Sequence, residues 1–349
     1  MKRVYLAIDA HARNCVLGSM NPQGKFLGTE RFRTTEADLI TQVVKVKATH
    51  KLLVVEEGPL AYWIARTLRP YVGDVMVCDP RKNKAISSAS NKNDQQDVYT
   101  LCRLLRLGEL SRVYHPQEDH RAVFKAAVQQ YIAFRKDECC LKFQIKAQFR
   151  SWGVHDVEGQ TVFGMKYRKK FLDQVHHPSI RRQLDRRLLF LDEALLGQRM
   201  ALREAEALGK RYSEIEHFRA MPGVGKIGSL IFDAYVQTPH RFDSKQQLWK
   251  YSQLGITDRS SDNKPLGFKR LDKNGNSELK SMSYNAWKGS LITQELNAVS
   301  GFFQASLDRT HSRTKARLNT QRKILTVLWT MWKNEEEYHP ELILPGMLR

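Results

Sequence analysis

Long hydrophobic runs are missing from this chain, and without an apolar stretch of membrane length it holds no ordinary helical span. Cysteine is scarce too. The five present, Cys15, Cys78, Cys102, Cys139 and Cys140, are odd in number and lack the paired C-x-x-C spacing of a zinc site, so reduced thiols in a cytosol fit best. Acidic residues are the minority: 37 Asp and Glu face 57 Lys and Arg, a formal charge of +20 over 349 residues. That imbalance favours a polyanionic partner, nucleic acid, over a small substrate. The first residues include two basic ones, but the apolar run behind them is only a strand long, which reads as a strand rather than a signal peptide. What is present is 42% hydrophobic residues, enough to fill at least one core.

Apolar residues run through 4–8, 15–20 and 25–32, with Asn21-Pro22-Gln23-Gly24 as a hairpin turn between the second and third runs. Helical spacing follows over 35–48, with Thr34 or Thr35 placed to cap it, then a short strand at 52–55, a helix at 60–68, a strand at 75–78 and a helix from about Asp94. Three hairpin-joined strands followed by alternating helices and strands predict a mixed sheet flanked by helices, in the ribonuclease H-like order. Residues 119–207 read as helical throughout. Leu184, Leu188, Leu191, Leu195 and Leu202 recur there at heptad-compatible steps among many arginines, which fits a helical arm, either packed on its own domain or coiled with another chain. The glycines of Met221-Pro222-Gly223-Val224-Gly225-Lys226 then break a helix. In a basic protein such a turn suggests a helix-hairpin-helix contact with a phosphate backbone through Gly223, Gly225 and Lys226, against the simpler reading of a tight structural turn. The last helix, 314–333, carries Ile324, Leu325, Leu328, Trp329 and Trp332 and reads as core.

Four carboxylates fall at the ends of elements. Asp9 closes the first strand, Glu56 closes the fourth, and Asp94 and Asp97 lie one helical turn apart at the start of a helix. On a ribonuclease H-like sheet the first and fourth strands are neighbours, so the four acids converge. Such a set suits Mg²⁺, or Mn²⁺ in its place, in metal-assisted phosphoryl transfer. Taken singly, each is an ordinary cap, helix-dipole partner or solvated charge. Strand alternation sends Glu56 and Glu57 to opposite faces, and Glu56 is the choice made here.

The segments Ala7-Ile8-Asp9-Ala10-His11, Val55-Glu56-Glu57-Gly58-Pro59-Leu60-Ala61-Tyr62-Trp63 and Asn91-Lys92-Asn93-Asp94-Gln95-Gln96-Asp97 resemble the motifs of the DEDD transposases of the insertion-sequence one-hundred-ten family. Asn93 stands where the family usually has Thr, and Val98 where it usually has Ala. The later elements Met221-Pro222-Gly223-Val224-Gly225, Arg241-Phe242, Leu254-Gly255-Ile256, Asn274-Gly275-Asn276 and Leu279-Lys280 are similar as well. The resemblance implies a RuvC-like domain over residues 1–115, a coiled-coil-like helical arm over 116–212, and a mainly helical transposase domain over 213–349. It also implies a serine nucleophile in Arg259-Ser260-Ser261-Asp262-Asn263-Lys264, with Ser261 preferred and Ser260 its alternative. Without the resemblance, this stretch reads as a serine-rich turn. Arg259, Lys264, Lys269 and Arg270 are the cations placed to stabilise a phosphate there.

As a whole, the resemblance implies a recombinase that cuts and rejoins double-stranded donor and target DNA. It implies a structured guide RNA, a homo-oligomer of two or four chains, no membrane, and a prokaryotic cytoplasm with nucleoid association when bound. Two rivals remain: a Holliday-junction resolvase in which the serines have no chemical role, and a non-catalytic RNA- or DNA-binding protein. For all three, counterion release makes nucleic-acid affinity fall steeply with salt, by roughly 10³–10⁵ between about 50 and 200 mM for six to ten phosphate contacts. A filter-binding or anisotropy salt series reads this slope, and a flat series excludes all three.

Overall fold

A computed structural model describes residues 3–80, 93–116, 119–261, 264–293 and 296–344. Two compact units emerge, Met1–Gln117 and Glu118–Arg349. None of the described helices is long and apolar enough to cross a membrane.

In the first unit, strands β1 (Arg3–Ala10), β2 (Asn14–Met20), β3 (Phe26–Arg33), β4 (His50–Glu56) and β5 (Asp74–Cys78) form one sheet in the order β3-β2-β1-β4-β5. β2 runs antiparallel to β1 and β3, whereas β1, β4 and β5 are parallel. Helix α1 (Glu36–Lys45) links β3 to β4, and α2 (Ala61–Leu68) links β4 to β5. Thr35 caps α1, its hydroxyl accepting from the Asp38 N–H at 3.2 Å. The period-two alternation of the strands divides the core in two. Val4, Leu6 and Ile8 of β1 bury one face of the sheet with Leu39 and Val43 of α1 and Ile64 and Leu68 of α2. Tyr5 and Ala7 bury the other with Val98, Leu101 and Cys102 of α3 (Asp94–Leu107). Each large side chain so buried contributes about 1.5–3 kcal/mol.

The second unit contains long helices α4 (Asp119–Ser151) and α6 (Pro178–Gly209), with the short α5 (Arg168–Leu172) between them. Helix is therefore not continuous over 119–207 as the sequence pattern suggests. Gly153, Gly159 and Gly164 fall in the intervening segment, and Pro178 occupies the first turn of α6, where its missing N–H does no harm. The two long helices run antiparallel: Gln198 donates to Glu138 at 2.7 Å, and Gln148 donates to Gln183 at 3.1 Å. Leu184, Leu188 and Leu191 are fully buried within this unit against Ile145 and Phe149, and Leu195 packs on the same cluster. Their leucine spacing is thus used inside one chain.

Five further helices follow: α7 (Glu214–Arg219), α8 (Gly225–Val236), α9 (Lys245–Tyr251), α10 (Ser277–Ser290) and α11 (Ala298–Thr310), and a last one, α12 (Arg313–Asn334), closes the unit. A two-stranded hairpin, β6 (Ile256–Ser261) and β7 (Lys264–Leu271), sits between α9 and α10. Ile324, Leu325, Leu328 and Trp329 of α12 are buried, as their spacing predicts for a core helix. Arg121 of α4 ties the unit together. It bonds Asp233 of α8 and, at 2.6 Å, Glu214 of α7, and its guanidinium lies 3.7 Å from the Tyr212 ring centroid. Asp233 is completely buried, and that burial pushes its carboxyl well above the usual range, with Arg121 opposing the shift and Glu214 adding to it. Removing Arg121 leaves the fully buried Asp233 and the partly buried Glu214 without the cation they share. Arg121→Ala is therefore expected to lower stability by about 3–5 kcal/mol. Urea unfolding measures it, and a loss under about 0.5 kcal/mol would show that other contacts hold these charges.

Candidate functional site

Parity along the strands decides which acids meet. Asp9 shares its face with Tyr5 and Ala7, which is the face covered by α3. Ile8 pairs with Val55 across the parallel β1–β4 contact, so Asp9 and Glu56 lie side by side at the same edge. Val54 belongs to the α3 face and Val55 to the opposite one. By that parity Glu56 falls on the α3 face and Glu57 on the other.

Helix α3 enters over this face. Asn93, the residue that differs from the family's usual Thr, caps it, its side chain accepting from the Gln95 N–H at 3.2 Å. Asp94 and Asp97 both occupy the first turn, where the partial positive charge of the helix end eases their placement near another carboxylate. The other departure, Val98, is fully buried and packs on Gly18 of β2. A Cβ at residue 18 would come within 2.8 Å of the Val98 side chain. The bare backbone at Gly18 is what lets α3 approach the sheet.

The result is a cluster in which one ligand atom each from Asp9, His11 and Asp94 lies within 4.8 Å of the others. Glu56 and Asp97 share the region but are not members of that group. His11 Nε2 is 3.0 Å from Asp9 Oδ2. Arg31 of β3 reaches Asp94 at 3.7 Å. Asp9, Val16 and Arg31 form one row across β1, β2 and β3, which brings this cation to the same face. Burial raises the Asp9 carboxyl above its usual range; His11 pulls it back, and Asp94 and Asp97 push it further up. The donor set fits a divalent cation. Ligands in adjacent octahedral positions with bonds of about 2.1 Å lie roughly 3 Å apart, and opposite ones roughly 4.2 Å. His11 lies within the first motif, but neither it nor Arg31 carries a local pattern that marks it as a site residue. Strand register alone connects Arg31 to the site.

The other sequence-predicted residues lie in the second unit. Ser261 ends β6 and pairs with Lys264, which opens β7; Ser260 pairs with Pro265, and the register is irregular between Asp258 and Ser260. The serine segment is thus a strand hairpin, where the sequence alone suggested only a turn. Asp262 and Asn263 lie outside the described residues, as do Asn91 and Lys92 of the first unit, and the side chains of Arg259, Ser260, Ser261, Lys264 and Lys269 also lie outside them. Arg270 is exposed. At the glycine turn, Gly223 has φ +83, and a Cβ there would fall 2.0 Å from the Ala286 carbonyl of α10. That glycine is required for packing. Gly225 begins α8, and Lys226 pairs with Glu206 of α6 at 2.6 Å. Asn276 caps α10 by accepting from the Glu278 and Leu279 N–H groups at 2.9 and 3.0 Å, which gives the Asn-Gly-Asn element a structural use.

Comparison with known proteins bears out the resemblance read from the motifs. Residues 215–298 match the profile described as Transposase IS116/IS110/IS902 family. The chain is also 26% identical over 243 residues to a putative transposase, y4qE, of Sinorhizobium fredii, an alignment covering 68% of this chain and 58% of that relative. The chain therefore spans less than two thirds of the length of the curated relative it matches.

Burial of the Asp9 carboxyl, with Asp94 and Asp97 adding to its effect, has a measurable consequence. A carboxyl whose folded pKa is raised favours the folded state most below its unfolded value of about 3.9, and that advantage is lost as pH rises toward the folded pKa. In chelator-treated protein, Asp9→Asn is expected to raise the thermal midpoint at pH 7 relative to wild type and to make no difference near pH 3. An unchanged or lower midpoint at pH 7 would show that the folded state does not disfavour the charged form of Asp9.

Proposed function

We propose that this chain, whose motifs and C-terminal match are those of the IS110-family transposases, cuts DNA phosphodiesters and rejoins them during excision and insertion of a mobile element. The observation that carries this reading is the approach of Asp94 to Asp9 on the sheet of the first unit, in a chain whose second unit matches the transposase profile. The strand order β3-β2-β1-β4-β5 with β2 antiparallel supports a ribonuclease H-like, RuvC-type scaffold. Asp9 and Asp94 hold the divalent cation, and Asp97 and Glu56 add negative charge on the same face. When bound, Mg²⁺ or Mn²⁺ supplies the charge that neutralises phosphate oxygens during displacement. Asp9 and Asp94 themselves orient that charge, and Arg31 adds a second cation toward a phosphate drawn to this face.

Ser261, with Ser260 as its alternative, is the proposed nucleophile. Its hydroxyl oxygen bonds to phosphorus as the bond to one bridging oxygen breaks, that oxygen leaving with the departing strand and taking up the proton the serine loses; attack by the hydroxyl of a second strand reverses the step, rejoins the DNA and returns a proton to the serine. A serine hydroxyl is a weak nucleophile alone, so Arg259, Lys264, Lys269 and Arg270 on the same hairpin are the cations that stabilise the crowded phosphate. Gly223, Gly225 and Lys226 contribute backbone contacts to nucleic acid. The resemblance implies a structured guide RNA alongside DNA and a homo-oligomer as the acting form, and the +20 charge serves phosphate contacts with both nucleic acids.

Strand-transfer assays test this directly. Asp9→Ala and Asp94→Ala are each expected to lower joining by at least ~10³-fold, and Ser261→Ala to abolish a denaturation-resistant protein–DNA adduct. Retention of the adduct in Ser261→Ala with loss in Ser260→Ala moves the nucleophile by one residue. Cleavage that needs Asp9 but neither serine gives a resolvase-like hydrolysis, and full joining by Asp9→Ala removes the metal site.

A further inference from the structure

We propose that His11 is a nitrogen ligand of this metal centre and makes it take Mn²⁺ in preference to Mg²⁺; this rests on the reading of Asp9 and Asp94 as metal ligands. The first support is positional. His11 follows β1 immediately, and its main chain is held on both sides: its N–H donates to the Asn14 carbonyl at 3.2 Å, and its carbonyl accepts from the Thr34 hydroxyl at 2.7 Å. The Thr34 N–H in turn donates to the Arg13 carbonyl at 3.0 Å. An imidazole on this clamped turn is aimed by the sheet rather than by a loose loop.

Packing does not explain the residue. Its side chain is 60% exposed, and it belongs to neither hydrophobic cluster of the first unit. A simple pair with Asp9 explains it only in part, because exposed ion pairs contribute little and such a pair requires nothing of Asp94. Yet Asp94 arrives at the same point from a different element, so that a nitrogen and two carboxylate oxygens share one small volume. The 3.0 Å between His11 Nε2 and Asp9 Oδ2 is a hydrogen-bond length, and it also matches the edge between adjacent ligands on an octahedral ion, so a cation can take the place of the shared proton without moving either group far.

Replacing an oxygen by an imidazole nitrogen changes which ion the centre selects. Mg²⁺ is hard, favours oxygen and gives up water reluctantly, whereas Mn²⁺ shares its carboxylate and water donors but, as a softer first-row transition ion, tolerates a nitrogen beside them better than Mg²⁺ does. Two carboxylates, one imidazole and water suit Mn²⁺ better.

Pulsed electron paramagnetic resonance of full-length protein loaded with Mn²⁺ tests the assignment, alongside calorimetric titrations with Mn²⁺ and Mg²⁺. The wild type is expected to show histidine-nitrogen modulation on the bound Mn²⁺. In His11→Ala the modulation disappears and Mn²⁺ affinity drops about tenfold or more, while Mg²⁺ affinity changes less than about twofold. His11→Asp, which restores an all-oxygen set, is expected to recover binding without the nitrogen signal and to shift preference toward Mg²⁺. Should Mn²⁺ bind, be lost in Asp9→Asn, and yet show no nitrogen modulation in the wild type, His11 is not a ligand and the carboxylate site stands. Failure of Mn²⁺ to bind, or binding indifferent to Asp9→Asn, overturns both readings.

Discussion

The contact of Val98 with Gly18 sets how near α3 can lie to the sheet, and the distance between Asp9 and Asp94 depends on it. Protein interiors are packed densely enough that one added carbon is felt, and here a Cβ on residue 18 would already overlap the valine. A wider gap would carry the first turn of α3, with Asp94 and Asp97, away from the end of β1. The chemistry proposed for the first unit therefore hangs on a hydrophobic contact that contains no charged atom. The Val98 side chain is accommodated because residue 18, its partner, has none.

That contact also forces a conflict. Packing draws Asp94 and Asp97 toward a carboxylate that burial already disfavours in its charged form. Arg31, His11 and the N-terminal end of α3 offset part of the repulsion, and a cation of charge two would remove more of it. The proposed binding site rests on this gathering of charged groups at the ends of separate elements.

In the second unit, the motif residues divide by use. Gly223 and Asn276 are explained by close packing and helix capping, and Lys226 has an acidic partner within its own chain. Arg121 holds two acids at the meeting of α4, α7 and α8, a role that carries no sequence signature because its partners are 93 and 112 residues away. What distinguishes the serine segment is its setting. It lies on a small strand pair within a helical unit, joined by backbone bonds that need no apolar pattern, which is why the run Arg259-Ser260-Ser261 gave no strand signal.

The sequence by itself determined the five-strand order of elements, the strand-end position of Asp9 and the helical spacing of Asp94 and Asp97. Each follows from a local period of two or 3.6 residues, and such periods are written in neighbouring residues. Its leucine spacing in 184–202 was equally legible, but spacing does not name a partner, and only the fold showed Leu184, Leu188 and Leu191 buried against α4. Tertiary structure alone decided that His11 and Arg31 join the acids. Arg31 reaches Asp94 through register across three strands, and His11 meets Asp94 because α3 docks at Gly18. Long-range register and close packing depend on residues far apart in the chain, so no local window of sequence contains them.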